Sequence, residues 1–259
     1  MATIDIGLCG TQHITTNRRI SFDIDDCRKE ILYGDENNGI CYDGIVDEKS
    51  WRNTKYKLAF LLKETNGNDK NGEKIEVQSD WDYIGWIKKL STKEEPLYPT
   101  FRNIAMWSSV FFDIFENGET DMGKYIDNST LKITDELLSN LRKIAVVNLK
   151  KSWGTGSSDW NELDKHLSND KIRSLLIKEM DLINADVVIC GSNQVFDFAL
   201  TIWGGAKKEF STPNGNTINY FETGKTVFVQ FYHPACRKKR EVMFDFSKDT
   251  FAALKNIIT

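Results

Sequence analysis

Four short apolar runs, rich in β-branched residues, constrain the fold of this chain more than any other feature. The runs are Lys57–Leu62, Ile144–Val147, Asp186–Cys190 and Thr226–Tyr232. The first three are too short for helices and do not alternate between apolar and polar residues, which is typical of strands covered on both faces. We therefore interpret the runs as strands of a sheet that lies between two helical layers.

Helical periodicity lies between these runs. Apolar residues recur at helical spacing over Phe101–Phe115, Glu136–Ile144 and Asn161–Ile183. Strands that alternate with helices predict a three-layer α/β/α sandwich with a central, mainly parallel sheet of about four strands. A turn at Thr223–Lys225 further predicts that the last strand pairs with Thr217–Glu222.

The organisation expected from these patterns is one domain over residues 1–259. A lead-in over residues 1–50 would contain a short helix near Asp25–Tyr33, and the core would span residues 57–240. The segment Asn66–Ser79 is a polar, glycine-containing loop, and loops of this length in compact domains are often functional.

Composition excludes several classes of protein. With 34 Lys and Arg against 38 Asp and Glu, the net charge is −4, so any nucleic-acid contact must come from a local basic patch. No apolar run approaches the ~18 residues of a membrane span, and the N-terminal segment does not have the pattern of a signal peptide. The five cysteines form no C-x-x-C motif, which favours reduced thiols in a cytoplasmic protein.

Polar residues follow each predicted strand, where open parallel sheets bind their ligands. These segments are Lys63–Gly67, Asn148–Lys151, Gly191–Gln194 and His233–Arg240. They supply a carboxylate, an amide, a Gly-Ser turn that opens a helix, and a histidine followed by a basic run. Because the carboxyl ends of parallel strands share one edge of a sheet, the sequence predicts a functional site there.

These segments resemble the motifs of the uracil-DNA glycosylase superfamily. Lys63–Gly67 is similar to the G-E-A-P-G motif of one branch, and Val146–Lys150 to the start of its I-T-N-L-V-K motif. Ala185–Gly191 resembles P-x-x-I-I-x-x-G, and His233–Ala235 resembles the last motif, H-P-S. The resemblance covers about Leu58 to Arg240 in the order of the family.

The sequence departs from the family pattern at positions that matter for its chemistry. Lys63 replaces the first glycine of the first motif, Asn66 replaces its proline, and Ala235 replaces the serine of the last motif. The branch with G-E-A-P-G carries an iron–sulfur cluster on four cysteines, and the spacings that it needs are absent from this chain. We therefore expect no metal and no cofactor.

The resemblance implies a DNA glycosylase that hydrolyses the N-glycosidic bond of a flipped-out pyrimidine with water. His233 would donate an N–H to the base oxygen as negative charge develops there. Glu64 would position the water and favour the cationic sugar, although Asn66 could orient the water instead. The structural alternatives are an ordinary histidine at residue 233 and a helix N-terminal acid at residue 64.

Three further residues are candidates for base recognition. Asn148 carries a paired donor and acceptor that could read the Watson–Crick edge of a pyrimidine. Gly67 stands where classical uracil enzymes have a tyrosine that crowds the C5 edge, so a C5-modified pyrimidine would be tolerated. Trp153 could stack on the base. The structural alternative for Asn148 is a buried amide that closes a turn, and the alternative for Trp153 is a tryptophan of the core.

A basic patch follows the last strand and is the candidate for phosphate contacts. Its residues are Arg237, Lys238, Lys239 and Arg240, and Lys150 and Lys151 could extend it. Ser192 is a separate candidate, because it opens a helix whose end could hold a phosphate. The run could also be a solvated face, and Ser192 could be a helix N-cap. His13 and His166 are interpreted as structural.

The predicted function is thus a monomeric DNA glycosylase that acts on uracil or a C5-modified pyrimidine in single- or double-stranded DNA. Its role would be in base-excision repair or in defence against modified viral DNA. Two alternatives stay open at this point: a non-catalytic binder of nucleic acid or nucleobases on the same fold, and a hydrolase of free nucleosides or nucleotides. The basic run argues against the second, since a mononucleotide does not need four positive charges beside its pocket.

Overall fold

The structure, a computed structural model, describes residues 41–66, 81–92, 98–122, 135–154 and 160–258. The strands in these ranges are β1 Cys41–Tyr42, β2 Gly44–Ile45, β3 Leu58–Leu62, β4 Thr65–Asn66, β5 Trp81–Asp82, β6 Ile144–Asn148, β7 Trp153–Gly154, β8 Val187–Cys190, β9 Lys208–Ser211, β10 Thr217–Thr223 and β11 Thr226–Gln230. The helices are α1 Glu48–Asn53, α2 Tyr83–Leu90, α3 Pro99–Asn117, α4 Asp135–Asn140, α5 Trp160–Leu167, α6 Asp170–Ile183, α7 Asn193–Trp203 and α8 Arg240–Ile258.

A seven-stranded sheet forms the middle layer, in the order β2-β6-β3-β8-β11-β10-β9. Its four central strands, β6, β3, β8 and β11, are parallel and are the four strands that the sequence predicts. Antiparallel strands extend the sheet on both sides, β2 beside β6, and β10 with β9 beside β11. The predicted hairpin is confirmed, with Thr223 opposite Thr226 and Gly224 in the left-handed conformation at φ 58°.

Hydrophobic clusters cover both faces of this sheet, as the continuous apolar runs indicate. Successive residues of a strand point to opposite faces, so Phe60 packs in one cluster while Ala59 and Leu61 pack in the other. The first cluster includes the buried faces of α3 and α8, and the second those of α5, α6 and α7. The predicted three-layer α/β/α sandwich is therefore confirmed.

Two helix predictions differ from the structure at their boundaries. The pattern over Asn161–Ile183 predicted one helix, but α5 ends at Leu167 and α6 begins at Asp170. The break occurs because the side chain of Asn169 accepts a hydrogen bond from the backbone N–H of Lys171 at 2.9 Å and so caps a new helix. In the second case, α4 ends at Asn140 and a 3₁₀ turn leads into β6, so Ile144 is the first residue of a strand.

The sheet and its two clusters extend beyond the predicted core of residues 57–240. Within the predicted lead-in, Gly44 and Ile45 pair with β6 at one edge of the sheet. Beyond residue 240, Phe251 and Leu254 of α8 are fully buried. The predicted helix near Asp25–Tyr33 and residues 67–79 of the predicted loop lie outside the described residues.

Candidate active site

The parallel register of the central strands sets the position of the candidate site. Leu62 at the end of β3 lies opposite Asn148 at the end of β6, and both strands run in the same direction as β8 and β11. The pairing continues past the strands, because the N–H of Lys150 donates to the carbonyl of Lys63 at 2.9 Å. The four polar segments therefore start from one edge of the sheet, as predicted, and we call this edge the rim.

Glu64 lies on the rim between two lysines. Its Oε1 forms an ion pair with Nζ of Lys63, and its Oε2 is 3.5 Å from Nζ of Lys150. All three side chains are largely buried, with exposed fractions of 6 to 8%. These ion pairs fix the carboxylate in place and balance its charge inside the protein.

Lys150 has a second carboxylate partner, since its Nζ lies 2.5 Å from Oε1 of Glu162 on α5. The sequence predicted a phosphate contact for Lys150. Its side chain is largely buried and its ammonium group pairs with Glu64 and Glu162, so it serves as an internal counterion of the rim, and a phosphate contact stays a prediction.

Lys63 connects several groups of the rim. Besides its ion pair with Glu64, its Nζ lies 5.4 Å from the ring centroid of Trp160, within the range of a cation–π contact. Its positive charge also acts on His233. Sequence analysis did not assign a role to Lys63, although its position directly after a central strand is the same signal that identified Glu64.

His233 follows β11 and is exposed at the rim. Its Nδ1 accepts a hydrogen bond from the N–H of Ala235 at 3.1 Å, so the neutral ring carries its proton on Nε2. The pKa of His233 is lowered below its ordinary 6.5 by two effects. The larger is the partial loss of water around the ring, and the smaller is the positive charge of Lys63. A neutral imidazole with one available N–H is the form that the predicted role requires.

Two contacts hold the segment after His233 in position. Asn103 of α3 donates from Nδ2 to the carbonyl of Pro234 at 2.6 Å. On the other side, a Cβ at Gly191 would lie 2.7 Å from Cδ2 of Leu62 and 3.2 Å from Cδ of Pro234. A side chain at residue 191 would therefore require Leu62 and Pro234 to shift, and glycine avoids this where the β8 end approaches Pro234.

Ser192, which follows Gly191, is the N-cap of α7. Its Oγ accepts a hydrogen bond from the backbone N–H of Val195 at 3.1 Å. The structural alternative is thus confirmed, because an N-cap hydroxyl satisfies a helix N–H that has no partner within the helix. A phosphate at this helix end stays a prediction.

Asn148 is fully buried below the rim. Its backbone N–H and its Nδ2 both donate to Oδ2 of Asp43, at 2.7 and 2.9 Å. Its Oδ1 has no hydrogen-bond partner within the part of the chain that the structure describes. Asn148 is therefore a buried amide, which is the structural alternative given above. Recognition of a base by Asn148 stays a prediction.

Asp43 belongs to a buried ionic network. Nζ of Lys151 lies 2.9 Å from Oδ1 of Asp43 and 2.8 Å from Oε2 of Glu179, and all three side chains are at most 2% exposed. Burial of charges is costly unless they are paired, so these residues depend on one another. The sequence did not reveal the network because Asp43 and Glu179 lie far from Lys151 in the chain.

His166 of α5 lies close to the rim lysines. Its Nε2 is buried and has no hydrogen-bond partner among the described residues. The pKa of His166 is lowered to about 4, mainly because the ring is buried. The positive charges of Lys150 and Lys151 lower the pKa further, whereas the negative charge of Glu162 raises it. The ring is therefore neutral at pH 7. A structural role for His166 stays a prediction.

The first motif and the Trp153 segment are adjacent. β4 and β7 form a short parallel pair in which Thr65 lies opposite Trp153 and Asn66 lies opposite Gly154. The backbones of two predicted site segments thus meet, as expected. Gly67 lies outside the described residues, and the roles of Asn66, Gly67 and Trp153 stay predictions.

The basic run faces solvent beside the rim. Arg237, Lys238 and Lys239 are exposed, and Arg240 is half-buried where it begins α8. Nζ of Lys238 lies 4.6 Å from the ring centroid of Tyr232. These cations are available to solutes, and their contact with phosphate stays a prediction.

Within the described ranges, no three His, Cys, Asp or Glu side chains are grouped so that they could hold a metal ion. The described cysteines are dispersed, with Cys41 in β1, Cys190 in β8 and Cys236 after β11. No helix among the described residues has both the length and the apolar character needed to cross a membrane.

The sequence was compared with protein-family models and with curated proteins. No protein-family model matches the chain, and no curated protein matches it. A functional assignment therefore rests on the residues of the rim and on the resemblance of the motifs.

Proposed function

We propose that this protein is a DNA glycosylase that hydrolyses the N-glycosidic bond of uracil or of a C5-modified pyrimidine. The observation that carries the proposal is the arrangement on the rim: Glu64 is ion-paired to Lys63, and the charge of Lys63 acts on the neutral His233. A carboxylate and a neutral N–H donor are the two groups that water-dependent cleavage of a base needs.

His233 would stabilise the departing base. Cleavage leaves negative charge on the base oxygens, and a donor already aimed at that charge lowers the barrier. The hydrogen bond from Ala235 N–H to Nδ1 leaves Nε2–H as the donor. The lowered pKa keeps the ring neutral at pH 7, so no counterion is needed for the histidine.

Glu64 would act on the other side of the bond. An oxocarbenium-like sugar is favoured by a nearby carboxylate, which can also orient the attacking water. The ion pairs with Lys63 and Lys150 hold the carboxylate in one position. Fixed geometry of this kind contributes to catalysis because no reorganisation is needed during the reaction.

The exposed run from Arg237 to Arg240 would bind the phosphates beside the flipped nucleotide. Because the chain carries net negative charge, binding must depend on this local patch. The proposal also assigns the protein to the cytoplasm as a monomer. Its role would be base-excision repair or defence against DNA that carries modified bases.

A non-catalytic binder of DNA or nucleobases is the second candidate, and one observation favours it. Glu64 is only 8% exposed and both of its oxygens face lysines, so its access to a water molecule is restricted. In such a protein the rim would hold a base without cleaving it.

One experiment separates the two candidates. Single- and double-stranded oligonucleotides with uracil, 5-hydroxymethylcytosine, glycosylated cytosine or ordinary pyrimidines are incubated with the protein and then treated with alkali. If the protein is a glycosylase, alkali breaks the strand at the abasic sites that it leaves at one class of base. If it is a binder, the DNA migrates more slowly in a native gel and stays intact after alkali. Release of uracil alone would contradict the tolerance of C5 adducts and leave the glycosylase assignment in place.

A further inference from the structure

A basic cleft lies beside the segment that follows His233. It has a volume of about 420 Å³ and is formed by the start of α3 and by residues 235–240. The volume is within the range of small-molecule sites. Its charged and aromatic lining residues are Tyr98, Arg102, Arg237, Lys238 and Arg240.

The charge of the cleft indicates an anionic occupant. Four cationic side chains line it, and among the described residues that line it there is no Asp or Glu. Three of these cations come from the segment after His233 and one, Arg102, comes from α3. Guanidinium groups that converge from different segments suit phosphate oxygens, which they can bind in bidentate fashion.

Tyr98 adds an aromatic surface to this cationic site. It precedes α3 and is 55% exposed, although its ring contacts Trp86 with the two centroids 5.6 Å apart. Tyr98 lines the same concave site as the cations. Aromatic rings beside positive charge are typical of sites for single-stranded nucleic acid, where bases stack on the ring.

The cleft is directly connected to the candidate catalytic histidine. Ala235 lines the cleft, and its backbone N–H donates to Nδ1 of His233. Asn103, another lining residue, donates to the carbonyl of Pro234. An occupant of the cleft would therefore lie one short segment away from a base held at the rim.

We propose that the cleft binds one unpaired nucleotide of a DNA strand, next to the excised base. The phosphate would contact Arg102, Arg237 and Arg240, and the base would stack on Tyr98. A paired base cannot stack on an isolated ring in a cleft, because its faces are covered by its neighbours in the duplex. The position of this nucleotide next to an excised base rests on the proposed function. The binding of a single strand in the cleft can be measured whether or not the protein cleaves DNA.

The test uses a deoxyadenosine oligonucleotide of about twelve nucleotides, which fits the site sizes of single-strand binders and contains no pyrimidine to cleave. Its affinity for the full chain is measured by fluorescence anisotropy, and the duplex with its complement is measured in parallel. For Tyr98→Ala we expect about tenfold weaker binding of the single strand, whereas Tyr98→Phe retains wild-type affinity. Val242, which is 51% exposed on α8, supplies the control variant Val242→Ala.

Charge is tested separately with Arg102→Gln. Removal of one cation that neutralises a phosphate reduces the slope of log K against log salt by about 0.7 for a single strand. An equal loss of single-strand and duplex affinity in Tyr98→Ala, or unchanged single-strand affinity, would overturn the inference. Tighter, Tyr98-dependent binding of the equivalent RNA would also overturn it, because the occupant would then not be DNA.

These binding measurements, together with the alkali assay for base release described above, keep this inference apart from the glycosylase proposal. If Tyr98-dependent binding is found without base release, the cleft is supported and the glycosylase proposal fails. If bases are released while Tyr98→Ala behaves as wild type, the glycosylase proposal is supported and the cleft fails.

Discussion

Oδ2 of Asp43 accepts two hydrogen bonds from Asn148, one from its backbone N–H at 2.7 Å and one from its Nδ2 at 2.9 Å. This pair fixes the end of β6 and the rotamer of the amide together. Since Lys151 balances the charge of Asp43 and Glu179 balances Lys151, the position of Asn148 depends on a chain of buried charges.

We expect Lys151→Met to lower the free energy of unfolding by about 3–5 kcal/mol, because it leaves the carboxylates of Asp43 and Glu179 buried without their shared cation. Urea denaturation at pH 7 measures the change. The matched control is Lys49→Met, since Lys49 is exposed on α1. Equal stability of the two variants would show that the network does not stabilise the fold.

Much of the rim could be predicted from the sequence, because its residues directly follow four recognisable strands. Glu64 and His233 were found in this way, since the carboxyl ends of parallel strands meet at one edge. The ionic partners could not be found by this reasoning. Asp43 and Glu179 contact Lys151 only through the fold, and no local pattern distinguishes them from the other acidic residues of the chain.

The same reasoning explains why one helix was predicted where the structure has two, α5 and α6. Periodicity reports which residues face the core, and α5 and α6 both face the same cluster, so their pattern is continuous across the break. The break depends on a single side chain, Asn169, whose cap is a local hydrogen bond and leaves the apolar period unchanged. Asn148 is a related case, because the end of a strand predicts the position of an amide but not whether it faces solvent.

We expect His233→Ala to slow base release by about 100-fold or more, the usual cost of losing one preorganised donor. Single-turnover kinetics on the oligonucleotide that the wild type cleaves best provide the measurement. His166→Ala serves as the comparison, since His166 is a histidine without an assigned role in the reaction. Wild-type rates for a folded His233→Ala variant would remove His233 from the mechanism.

Glu64→Gln should slow the chemical step by at least about 100-fold, because the variant loses the charge that orients water and favours the cationic sugar. DNA affinity should change little, since the proposed contact is with sugar and water. The control is Glu162→Gln, which removes the other carboxylate of Lys150. If affinity and rate fall together in Glu64→Gln, the residue supports the structure of the rim and does not act in the reaction.

Replacement of Arg237, Lys238, Lys239 and Arg240 with alanine should weaken binding to all duplex sequences equally. The slope of log K against log salt should fall by about 0.9 for each phosphate that the variant no longer neutralises. Lys171→Ala combined with Lys178→Ala on α6 is the control, since both lysines are exposed on a different helix. A slope that equals the wild-type value would identify the run as an ordinary solvated face.

His166 should make the stability of the protein dependent on pH. Its pKa is about 4 in the folded chain and 6.5 in the unfolded chain, so between these values the unfolded state binds the extra proton. The contribution of His166 is therefore fully present above pH 6.5 and is lost as the pH falls towards 4.

From pH 8 to pH 5 we expect the free energy of unfolding of the wild type to fall by about 2 kcal/mol more than that of His166→Gln. Urea denaturation of both proteins at each pH measures this difference, and the carboxylates that titrate in both proteins cancel in it. Parallel pH profiles would mean that His166 takes up its proton equally well in the folded chain and that the lysines of the rim do not act on it.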